Sequence, residues 1–382
     1  MIGVGLMCGT SLDGIDAVRV SLTPRPDGYD VVTDAFDVFP LPDDLRDRLL
    51  AASPPNACDA LTVSRLHADA GDAFAAAAVA IGADRAHFVA SHGITLAHDG
   101  DAHCTLQIGD AFRIRERTGR TVVFDFRSAD TAAGGHGAPL VPYVDRLLLA
   151  SRDETRVALN LGGIANLTVL PAGAPASGTI AFDSGPANLA LDAYATLRSG
   201  GRMRRDDGGA RAAAGRVDAA LLDAMLADPY FTAPPPKSTG RERFGTTFVA
   251  RFRAGLDALS FDDALATLTA LTIRSVAAAI RSAAPDAARV VVAGGGVHNG
   301  TILGGLRAEL PGVAIDASDA FGIDPDAKEA IAFAILGREA LAERAAGLPG
   351  VTGSRGPRVL GAIAPAGLTA LLAAVDGEER AR

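Results

Sequence analysis

Several glycine-containing turns in this sequence combine residue types that can bind anions or move protons. In the first, residues 9–14, glycines at both ends allow unusual backbone angles, and Thr10 and Ser11 add hydroxyl donors. Successive backbone amides in such a turn can form a concave site for a phosphate group. The same residue types also occur in tight turns where Ser and Asp only satisfy nearby backbone groups. The turn is therefore a candidate phosphate site with a structural alternative.

Two later segments have a related design. Residues 160–166 place Gly162 and Gly163 between two apolar runs, and residues 294–299 place three glycines after a valine-rich run. Glycines at the carboxyl end of a strand lie where α/β sheets bind their ligands. Neither segment is a GxGxxG motif, and the chain lacks the Gly-Lys pair of a P-loop. An ordinary sharp turn is the alternative for both segments.

Asp183 is the strongest candidate for proton transfer. It follows an apolar run and precedes Ser-Gly-Pro, which is typical of a strand giving way to a helix. A carboxylate there, beside the amides of a helix N-terminus, could act as a general base near a phosphate or bind metal-bound water. The alternative is that Asp183 caps the helix, as Asp commonly does.

Two further residues are candidates for contacts with a ligand. His92 lies next to a glycine at a predicted strand end, which favours exposure to a cleft, and Arg127 follows a second predicted strand. The other histidines lack metal-ligand spacing such as HExxH, which disfavours a zinc site. The absence of a GxSxG motif also disfavours a hydrolase of the nucleophile-elbow type.

The elements that must position these residues alternate between strands and helices. Residues 3–20 and 157–170 each predict a β-hairpin, so a hairpin recurs at domain-sized spacing and indicates two similar halves. The pattern as a whole predicts an α/β fold. Further strands are predicted at 87–91, 122–126, 178–182 and 288–296, and helices at 63–81, 186–197, 264–284, 303–310 and 327–345. Residues 200–211 predict a mobile loop and residues 233–236 a proline-rich linker.

Composition narrows the class of protein. The 382 residues suffice for two or three domains, and the net charge of −9 without basic and aromatic clusters disfavours a nucleic-acid partner. Cys8, Cys58 and Cys104 are few and widely spaced, which argues against a disulfide framework. The N-terminus lacks a signal-peptide pattern, and the longest uninterrupted apolar stretch, 73–83, is too short to span a membrane. We therefore expect a cytoplasmic protein without a membrane partner.

In order along the chain, these motifs resemble the 1,6-anhydro-N-acetylmuramic acid kinases, a family of the sugar kinase, actin and heat-shock chaperone superfold. The resemblance covers nearly the whole chain. The matching segments are residues 5–16, 91–93, 105–110, 122–127, 133–142, 160–166, 182–186, 236–242, 294–299 and 348–353.

The resemblance implies a two-domain α/β fold of the actin-like, ribonuclease H-like type, with ATP and Mg²⁺ in an interdomain cleft. It implies an enzyme that hydrolyses the 1,6-anhydro bridge of its sugar and phosphorylates O6, in the recycling of cell-wall sugars. Asp183 would be the base that activates water. His92, Arg127, Asn166 and Glu329 would line the cleft, and Mg²⁺ would be held mainly by ATP phosphates and water. Phosphates and nucleotide would contact Gly9, Thr10, Ser11, Leu12, Asp13, Gly14, Ile15, Asp16, Gly162, Gly163, Gly294, Gly295, Gly296 and Asn299.

The same resemblance suggests a homodimer and a division into lobes. Residues 1–128 with about 350–382 would form the first lobe, which carries the phosphate-binding hairpin. Residues 129–349 would form the second lobe, with Asp183 and the glycine motif at 294–296.

The sequence departs from the family pattern near the expected sugar site. Ile94 and His136 replace glutamines, Ala187 replaces a glycine, and a family histidine is replaced near Asp145. Ile94 would remove an amide from that site, so levoglucosan or another anhydrosugar is an alternative substrate. A more distant alternative is a nucleotide-dependent switch of the actin or chaperone type.

Overall fold

The computed structural model describes residues 1–9, 12–54 and 56–381. They form two compact units: Met1–Leu148 with Gly322–Arg382 is unit 1, and Leu149–Phe321 is unit 2. Each unit has its own sheet and helices, which confirms the predicted α/β class. The strands are β1 (Ile2–Cys8), β2 (Ile15–Arg25), β3 (Gly28–Phe39), β4 (Phe88–Asp99), β5 (Cys104–Ile108), β6 (Thr121–Phe124), β7 (Thr155–Leu161), β8 (Ile164–Leu170), β9 (Ile180–Pro186), β10 (Ala287–Ala293), β11 (Ala314–Ala317) and β12 (Ala362–Ala364).

The helices lie between and after these strands. They are α1 (Asp43–Ala52), α2 (Ala60–Ala80), α3 (Ala111–Thr118), α4 (Ser128–Ala132), α5 (Val141–Leu149), α6 (Asn188–Arg198), α7 (Ala210–Ala214), α8 (Ala219–Leu226), α9 (Arg241–Phe244), α10 (Thr246–Ala258), α11 (Phe261–Ala283), α12 (Gly300–Glu309), α13 (Lys328–Leu341), α14 (Pro349–Thr352) and α15 (Leu368–Ala381). Short 3₁₀ turns include Asp207–Gly209, Pro229–Thr232 and Gly295–His298.

The two sheets share a strand order. In unit 1 the order is β12-β6-β4-β1-β2-β3, with β5 on β4, and in unit 2 it is β11-β10-β7-β8-β9. The strands β1-β2-β3 and β7-β8-β9 are antiparallel, whereas β4 and β10 each run parallel to the first strand of their hairpin. The two predicted hairpins therefore belong to a longer repeated pattern of three antiparallel strands followed by parallel ones.

In unit 1, small residues let α13 lie very close to the sheet. A Cβ at Gly5 would clash with the Ala330 carbonyl oxygen, and a Cβ at Gly337 would lie 2.7 Å from the Ala90 Cβ. Helix α2 also packs on the sheet, in an apolar cluster that includes Phe74 of α2 and Val89 of β4. The sheet of unit 1 is thus packed against helices through residues with little or no side chain.

In unit 2, α11 is the central helix of the apolar core, and Leu265, Leu268 and Leu271 are buried in it. Of the helices in the described part of the chain, α11 is the one long and apolar enough for a membrane span, and 67% of its most apolar window is buried inside the protein. The sequence predicts this helix at 264–284, but the search for uninterrupted apolar stretches did not single it out as long enough to span a membrane, because threonines and an arginine interrupt its apolar residues. Such burial is typical of a core helix.

The unit boundaries correct the expected lobes. Residues 129–148 and 322–349 were expected in the second lobe but belong to unit 1. The physical reason is that Lys328 pairs with Asp145 and that Thr352 donates to Asp130, so both segments are bonded within unit 1. Helix α13 also packs on β1.

Two predicted irregular segments are more ordered than expected. Within residues 200–211, the carboxylate of Asp206 is largely buried and accepts hydrogen bonds from the N–H groups of Arg211 and Ala212. Residues 233–236 are not a linker between units, because they lie within unit 2. The described cysteines are all free, and burial, followed by nearby Asp16 and Asp13, raises the pKa of the Cys8 thiol to about 12.

Candidate active site

The first candidate phosphate turn joins β1 to β2 in unit 1. The Leu12 N–H donates to the Gly9 carbonyl oxygen at 3.1 Å, and Leu12 adopts a φ of 56° with a buried side chain. Because leucine rarely adopts a positive φ, the surrounding structure must hold this conformation. Gly14 has no room for a side chain, since a Cβ would lie 2.8 Å from Val38 Cγ1. The turn is therefore sterically constrained at both positions.

The remaining residues of this turn differ in their burial, and two of them are not described by the structure. Thr10 and Ser11 lie outside the described residues, so their phosphate contacts stay a prediction. Ile15 begins β2, and its buried side chain belongs to the core of unit 1. Asp13 is exposed, and its carboxylate lies 3.9 Å from the Arg46 guanidinium.

Asp16, the second residue of β2, is surrounded by like charge. Burial, followed by the negative charges of Glu329, Asp326 and Asp13, raises the pKa of Asp16 to about 6. A carboxyl group with such a pKa is mostly ionised at neutral pH but takes up a proton more readily than an ordinary aspartate. The turn and the start of α13 thus form an acidic region in which a cation would favour the ionised form of Asp16.

Glu329 lies in the first turn of α13, next to a buried ion pair. Burial raises its pKa, while the positive charges of Lys328 and Arg127 oppose that shift. Lys328 itself bonds to the Asp145 carboxylate at 2.7 Å, and both side chains are almost fully buried. The ion pair therefore fixes the residue that precedes Glu329.

The acidic region fits a magnesium ion that arrives with ATP. Within residues 1–9, 12–54 and 56–381, no three His, Cys, Asp or Glu side chains are grouped so that they could hold a metal ion together. Magnesium commonly keeps several waters and binds substrate phosphates with only one or two carboxylates. Asp16 and Glu329 could supply such carboxylates. The donor set does not resemble a site built from protein ligands alone.

His92 lies inside β4 with its side chain only 4% exposed, which corrects the expectation of an open position at a strand end. Its Nδ1 lies 3.0 Å from the Gly93 carbonyl oxygen, so this nitrogen carries the proton. Its Nε2 accepts hydrogen bonds from Nε and Nη2 of Arg127 at 3.0 and 2.9 Å. Burial, followed by the Arg127 charge, lowers the pKa of His92 well below its ordinary value. His92 is therefore neutral and positions Arg127.

Arg127 also connects to the glycine-rich segment 133–142. Its Nη1 donates to the Gly137 carbonyl oxygen at 2.7 Å, and the Gly137 N–H donates to the buried Asp130 carboxylate at 2.9 Å. Burial lowers the pKa of Arg127 to about 10, while the charges of Glu329 and Asp130 oppose that shift. The guanidinium therefore stays charged at neutral pH and is held in place by hydrogen bonds on two sides.

Three departures from the family pattern have structural explanations. Ile94 is 2% exposed within the apolar core of unit 1, and Ala187 is fully buried in the core of unit 2. Asp145 is the partner of Lys328. His136 differs from these positions: it is exposed, and its ring centroid lies 6.0 Å from that of His103. Ile94 therefore presents no polar group to a ligand, and its effect on the choice of sugar stays a prediction.

In unit 2, the polar residues Asn160, Asn166 and Asp183 lie side by side on three neighbouring strands. Asn160 pairs with Asn166 across β7 and β8, and Asn166 pairs with Asp183 across β8 and β9. Because directly opposed residues project to the same face of a sheet, the three side chains form a polar row. The structure thus brings together two of the predicted residues, Asn166 and Asp183, and adds Asn160.

Asp183 lies within β9 and does not cap α6, which begins at Asn188. Its Oδ2 accepts a hydrogen bond from the Thr239 N–H at 2.9 Å. Burial raises the pKa of Asp183 to about 6, the Thr239 hydrogen bond opposes this shift, and the charge of Glu242 adds to it. A carboxylate with this pKa is ionised at neutral pH and can accept a proton.

The residues around Asp183 include several that the sequence had not singled out. The Tyr230 hydroxyl donates to the Asp183 carbonyl oxygen at 2.8 Å, and the Asp183 N–H donates to the Lys237 carbonyl oxygen at 3.1 Å. Lys237, Thr239 and Glu242 belong to the matching segment 236–242, which was the available signal. Their contacts to Asp183 could not be read from the sequence, because two of them are made by backbone atoms.

The turn at Gly162 and Gly163 is bonded to the start of α6. The Gly162 carbonyl oxygen accepts from the Asn188 N–H at 3.1 Å, and the Gly163 carbonyl oxygen accepts from the N–H groups of Ala187 and Leu189 at 2.9 and 3.0 Å. These amides therefore already have acceptors, which weakens the expectation that this helix N-terminus binds an anion. The phosphate contacts of Gly162 and Gly163 stay a prediction.

The glycine motif follows β10 and lies close to the end of β7. Gly294 has a φ of 81°, and a Cβ there would clash with the Asn160 side chain, whereas a Cβ at Gly295 would meet open space. Gly296 is restricted by contact with Leu161. Asn299 caps α12, because its side-chain oxygen accepts from the Ile302 N–H at 3.1 Å. Gly295 is thus the glycine whose surface is open to a ligand.

The repeated strand order, the glycine turns and the partly buried carboxylates Asp16 and Asp183 define an α/β protein of two related units with a candidate site for phosphate and proton-transfer chemistry. The family model described as anhydro-N-acetylmuramic acid kinase matches residues 1–366. The chain therefore belongs to the anhydro-N-acetylmuramic acid kinase family and is a kinase.

Named relatives agree with this assignment. An anhydro-N-acetylmuramic acid kinase of Xanthomonas oryzae pv. oryzae is 47% identical over 379 residues, covering 96% of this chain and 98% of that protein. One from Streptomyces coelicolor is 43% identical over 369 residues, covering 95% and 93%.

Solved structures match with low scores. An activator of 2-hydroxyisocaproyl-CoA dehydratase from Clostridium difficile, with bound ADPNP, gives a TM-score of 0.40 at 12% identity, covering 88% of this chain and 93% of that one. A ROK family glucokinase from Streptomyces griseus, in complex with glucose and AMPPNP, gives 0.37 at 13% identity, covering 89% and 100%. The family assignment rests on the sequence relatives.

Proposed function

We propose that this kinase uses ATP to convert 1,6-anhydro-N-acetylmuramic acid into N-acetylmuramic acid 6-phosphate. The family supplies the substrate class, since the relatives carry the name anhydro-N-acetylmuramic acid kinase. The observation that carries the chemistry is the Asp183 carboxylate, which is held by one backbone amide and has a pKa raised to about 6. Such a group suits a base that works near neutral pH.

The reaction couples hydrolysis of the bridge to phosphoryl transfer. Asp183 takes a proton from a water molecule, and the water oxygen forms a bond to C1 of the sugar. The bond between C1 and O6 breaks, and O6 takes the γ-phosphoryl group as its bond to the β-phosphate oxygen of ATP breaks. ADP and the 6-phosphate sugar leave, and the proton on Asp183 returns to solvent. The part of the protein is mainly to position groups and stabilise charge.

The remaining candidate residues take supporting roles in this proposal. The turn from Gly9 to Asp16 and the glycines at 162–163 and 294–296 contact phosphates and nucleotide through backbone groups. When bound with ATP, magnesium would neutralise phosphate charge, and Asp16 and Glu329 are the residues of the acidic region that would hold it or its waters. Arg127 and Asn166 supply donors for the sugar, and His92 holds Arg127. Asn299 supports the nucleotide side by fixing α12.

The setting of the reaction follows from its substrates. ATP and a sugar released from cell-wall turnover meet in the cytoplasm, so we place the enzyme there and in the recycling of cell-wall sugars. A homodimer is part of the same proposal. Size-exclusion chromatography with light scattering tests the dimer, which a monomer at micromolar concentration would contradict.

The activity is tested by incubating the enzyme with ATP, Mg²⁺ and a panel of anhydrosugars, and by detecting products by mass. Reaction in heavy-oxygen water should place the label at C1 of a 6-phosphate product. A phosphorylated sugar with its bridge intact would contradict the coupled mechanism. Higher kcat/KM on levoglucosan than on 1,6-anhydro-N-acetylmuramic acid would contradict the substrate.

The role of Asp183 is tested separately. Asp183→Asn should lower kcat by at least about 1000-fold while ATP still binds, because the amide cannot accept the proton of the attacking water. Substantial activity in that variant would show that Asp183 is not the base. ATP turnover without sugar-stimulated phosphorylation would instead favour a nucleotide switch.

A further inference from the structure

The residues 233–240, here called the strap, run beside Asp183 at the edge of the sheet of unit 2. Strand β9 is an edge strand, with β8 on one side. On its other side, the Asp183 N–H donates to the Lys237 carbonyl oxygen at 3.1 Å, and the Thr239 N–H donates to the Asp183 carboxylate at 2.9 Å. The strap therefore holds both the backbone and the side chain of Asp183.

The strap is itself held by the ammonium group of Lys237. The Lys237 Nζ donates to the carbonyl oxygens of Tyr230 and Phe231 at 2.9 and 3.4 Å, at the end of a 3₁₀ turn. The same ammonium lies 4.8 Å from the centroid of the Tyr230 ring and 5.8 Å from that of Phe182. Cation–π contacts and charge-assisted hydrogen bonds both favour a fixed cation at this place.

Tyr230 links the anchor of Lys237 directly to Asp183. The Tyr230 hydroxyl donates to the Asp183 carbonyl oxygen at 2.8 Å, so the residue that anchors Lys237 also touches Asp183. The 3₁₀ turn is fixed in turn by the buried Asp228, which accepts from the Tyr230 N–H and pairs with Arg243 and Arg251. The contacts thus run from Asp228 through Tyr230 and Lys237 to Asp183.

From these contacts we propose that Lys237 is a positioning residue for the reaction, whose ammonium holds the strap so that its backbone fixes the Asp183 carboxylate. The inference rests on the proposed role of Asp183 as the base. Lys237 acts through the strap and not through its own charge on Asp183. The causes that shift the pKa of Asp183 are burial, the Thr239 amide and the charge of Glu242. Loss of the ammonium therefore frees the strap, weakens the Thr239 hydrogen bond and raises the pKa of Asp183.

The test compares Lys237→Met, which keeps the apolar stem but removes the charge, with Lys237→Arg, which keeps a cation over the Tyr230 ring. Amide hydrogen exchange at Thr239 and Asp183 reports docking of the strap without reference to activity. We expect Lys237→Met to accelerate both exchange rates, to lower kcat about 10- to 100-fold and to move the acidic limb of the kcat profile to higher pH. Lys237→Arg should restore most of kcat.

Thr232→Val is the matched control, because Thr232 bonds to the Pro229 carbonyl oxygen in the same 3₁₀ turn but has no described bond to Asp183. It should leave the exchange rates and kcat within about twofold of the wild type. The proposal is overturned if Lys237→Met keeps normal kcat and pH dependence, or if exchange at Thr239 does not change. A fully active Asp183→Asn variant would instead overturn the base assignment, while the exchange result would still report on the strap.

Discussion

Arg127 donates two hydrogen bonds to a single ring nitrogen of His92, from Nε at 3.0 Å and from Nη2 at 2.9 Å. The other ring nitrogen bonds to the Gly93 carbonyl oxygen, so the imidazole is neutral and its tautomer is fixed. A histidine in this state works as an uncharged acceptor for a cation. His92 holds the Arg127 guanidinium in position without neutralising its charge, which suits binding of a polar or anionic group on the substrate.

Replacement of His92 by an apolar ring should destabilise unit 1. His92→Phe keeps an aromatic ring beside Phe333, whose centroid lies 4.5 Å from that of His92, but leaves Arg127 donors without their acceptor. We expect a loss of about 1 to 3 kcal/mol in the free energy of unfolding, measured with urea. The exposed His136→Gln should change it by less than about 0.5 kcal/mol. Equal effects of the two substitutions would contradict the role of His92.

The protonation of His92 should make stability depend on pH in a definite direction. Its pKa is lowered in the folded state, so the unfolded chain binds more protons below the ordinary value of 6.5. The free energy of unfolding should therefore fall as pH decreases from about 6.5, by up to about 1.4 kcal/mol per pH unit from this group. Comparison of wild type with His92→Gln between pH 7 and pH 5 isolates the effect. Parallel curves for the two proteins would argue against it.

Asp183 should affect stability in the opposite direction. Its folded pKa of about 6 lies above the ordinary 3.8, so the folded state binds the proton more tightly, and ionisation destabilises it. Relative to Asp183→Asn, the wild type should lose about 2 to 3 kcal/mol as pH rises from 4 to 7. Urea unfolding of both proteins at several pH values measures this. A constant difference across that range would show that the carboxylate is not penalised by burial.

Asp16 should couple the acidic region to magnesium. Asp16→Asn removes one of the charges that repel one another around Glu329, and also one carboxylate available to the metal or its waters. We expect the Mg²⁺ concentration for half-maximal ATP turnover to rise several-fold. Asp101→Asn, at the exposed tip of the β4–β5 hairpin, is the charge-matched control. Identical magnesium dependence in wild type and Asp16→Asn would remove this carboxylate from the metal site.

Replacing one member of the buried pair of Lys328 and Asp145 should lower the free energy of unfolding strongly, whereas replacing both together should lower it much less. Asp145→Asn leaves the almost fully buried ammonium without its counter-charge and should cost about 3 to 5 kcal/mol. The double variant Asp145→Leu with Lys328→Met should recover most of this loss, because neither charge remains. Urea unfolding of the single and double variants measures both terms. Additive losses would show that the two residues act independently.

The sequence predicted the fold where local pattern and tertiary packing agree. The two hairpins and the helices α2, α11 and α13 were predicted because their apolar periodicity matches the faces they bury. Strand β3 was not predicted: it is an edge strand, partly exposed along most of its length, and its sequence mixes Asp30, Asp34 and Asp37 with apolar residues. Without a buried face, the alternating signal is weak.

The site was predictable in its residue types but not in its connections. Asp183 stood out because a carboxylate after a strand is a common place for chemistry. Its neighbours Tyr230, Lys237 and Thr239 act through hydrogen bonds that involve backbone atoms and join segments about 50 residues apart. Such contacts put little constraint on residue type. His92 is predicted correctly as a residue of interest but wrongly as exposed, because the partner that makes its burial possible, Arg127, lies just before α4 and far from it in the sequence.

The interrupted course of unit 1 sets an order for its assembly during synthesis. Unit 2, Leu149–Phe321, is continuous in the chain, whereas α13 emerges from the ribosome only after all of unit 2. Until then, the side of the sheet at Gly5 and Ala90 lacks the helix that covers it. Unit 2 can therefore fold while the chain grows, but unit 1 must wait with an uncovered apolar face, which is the kind of surface that promotes aggregation during folding.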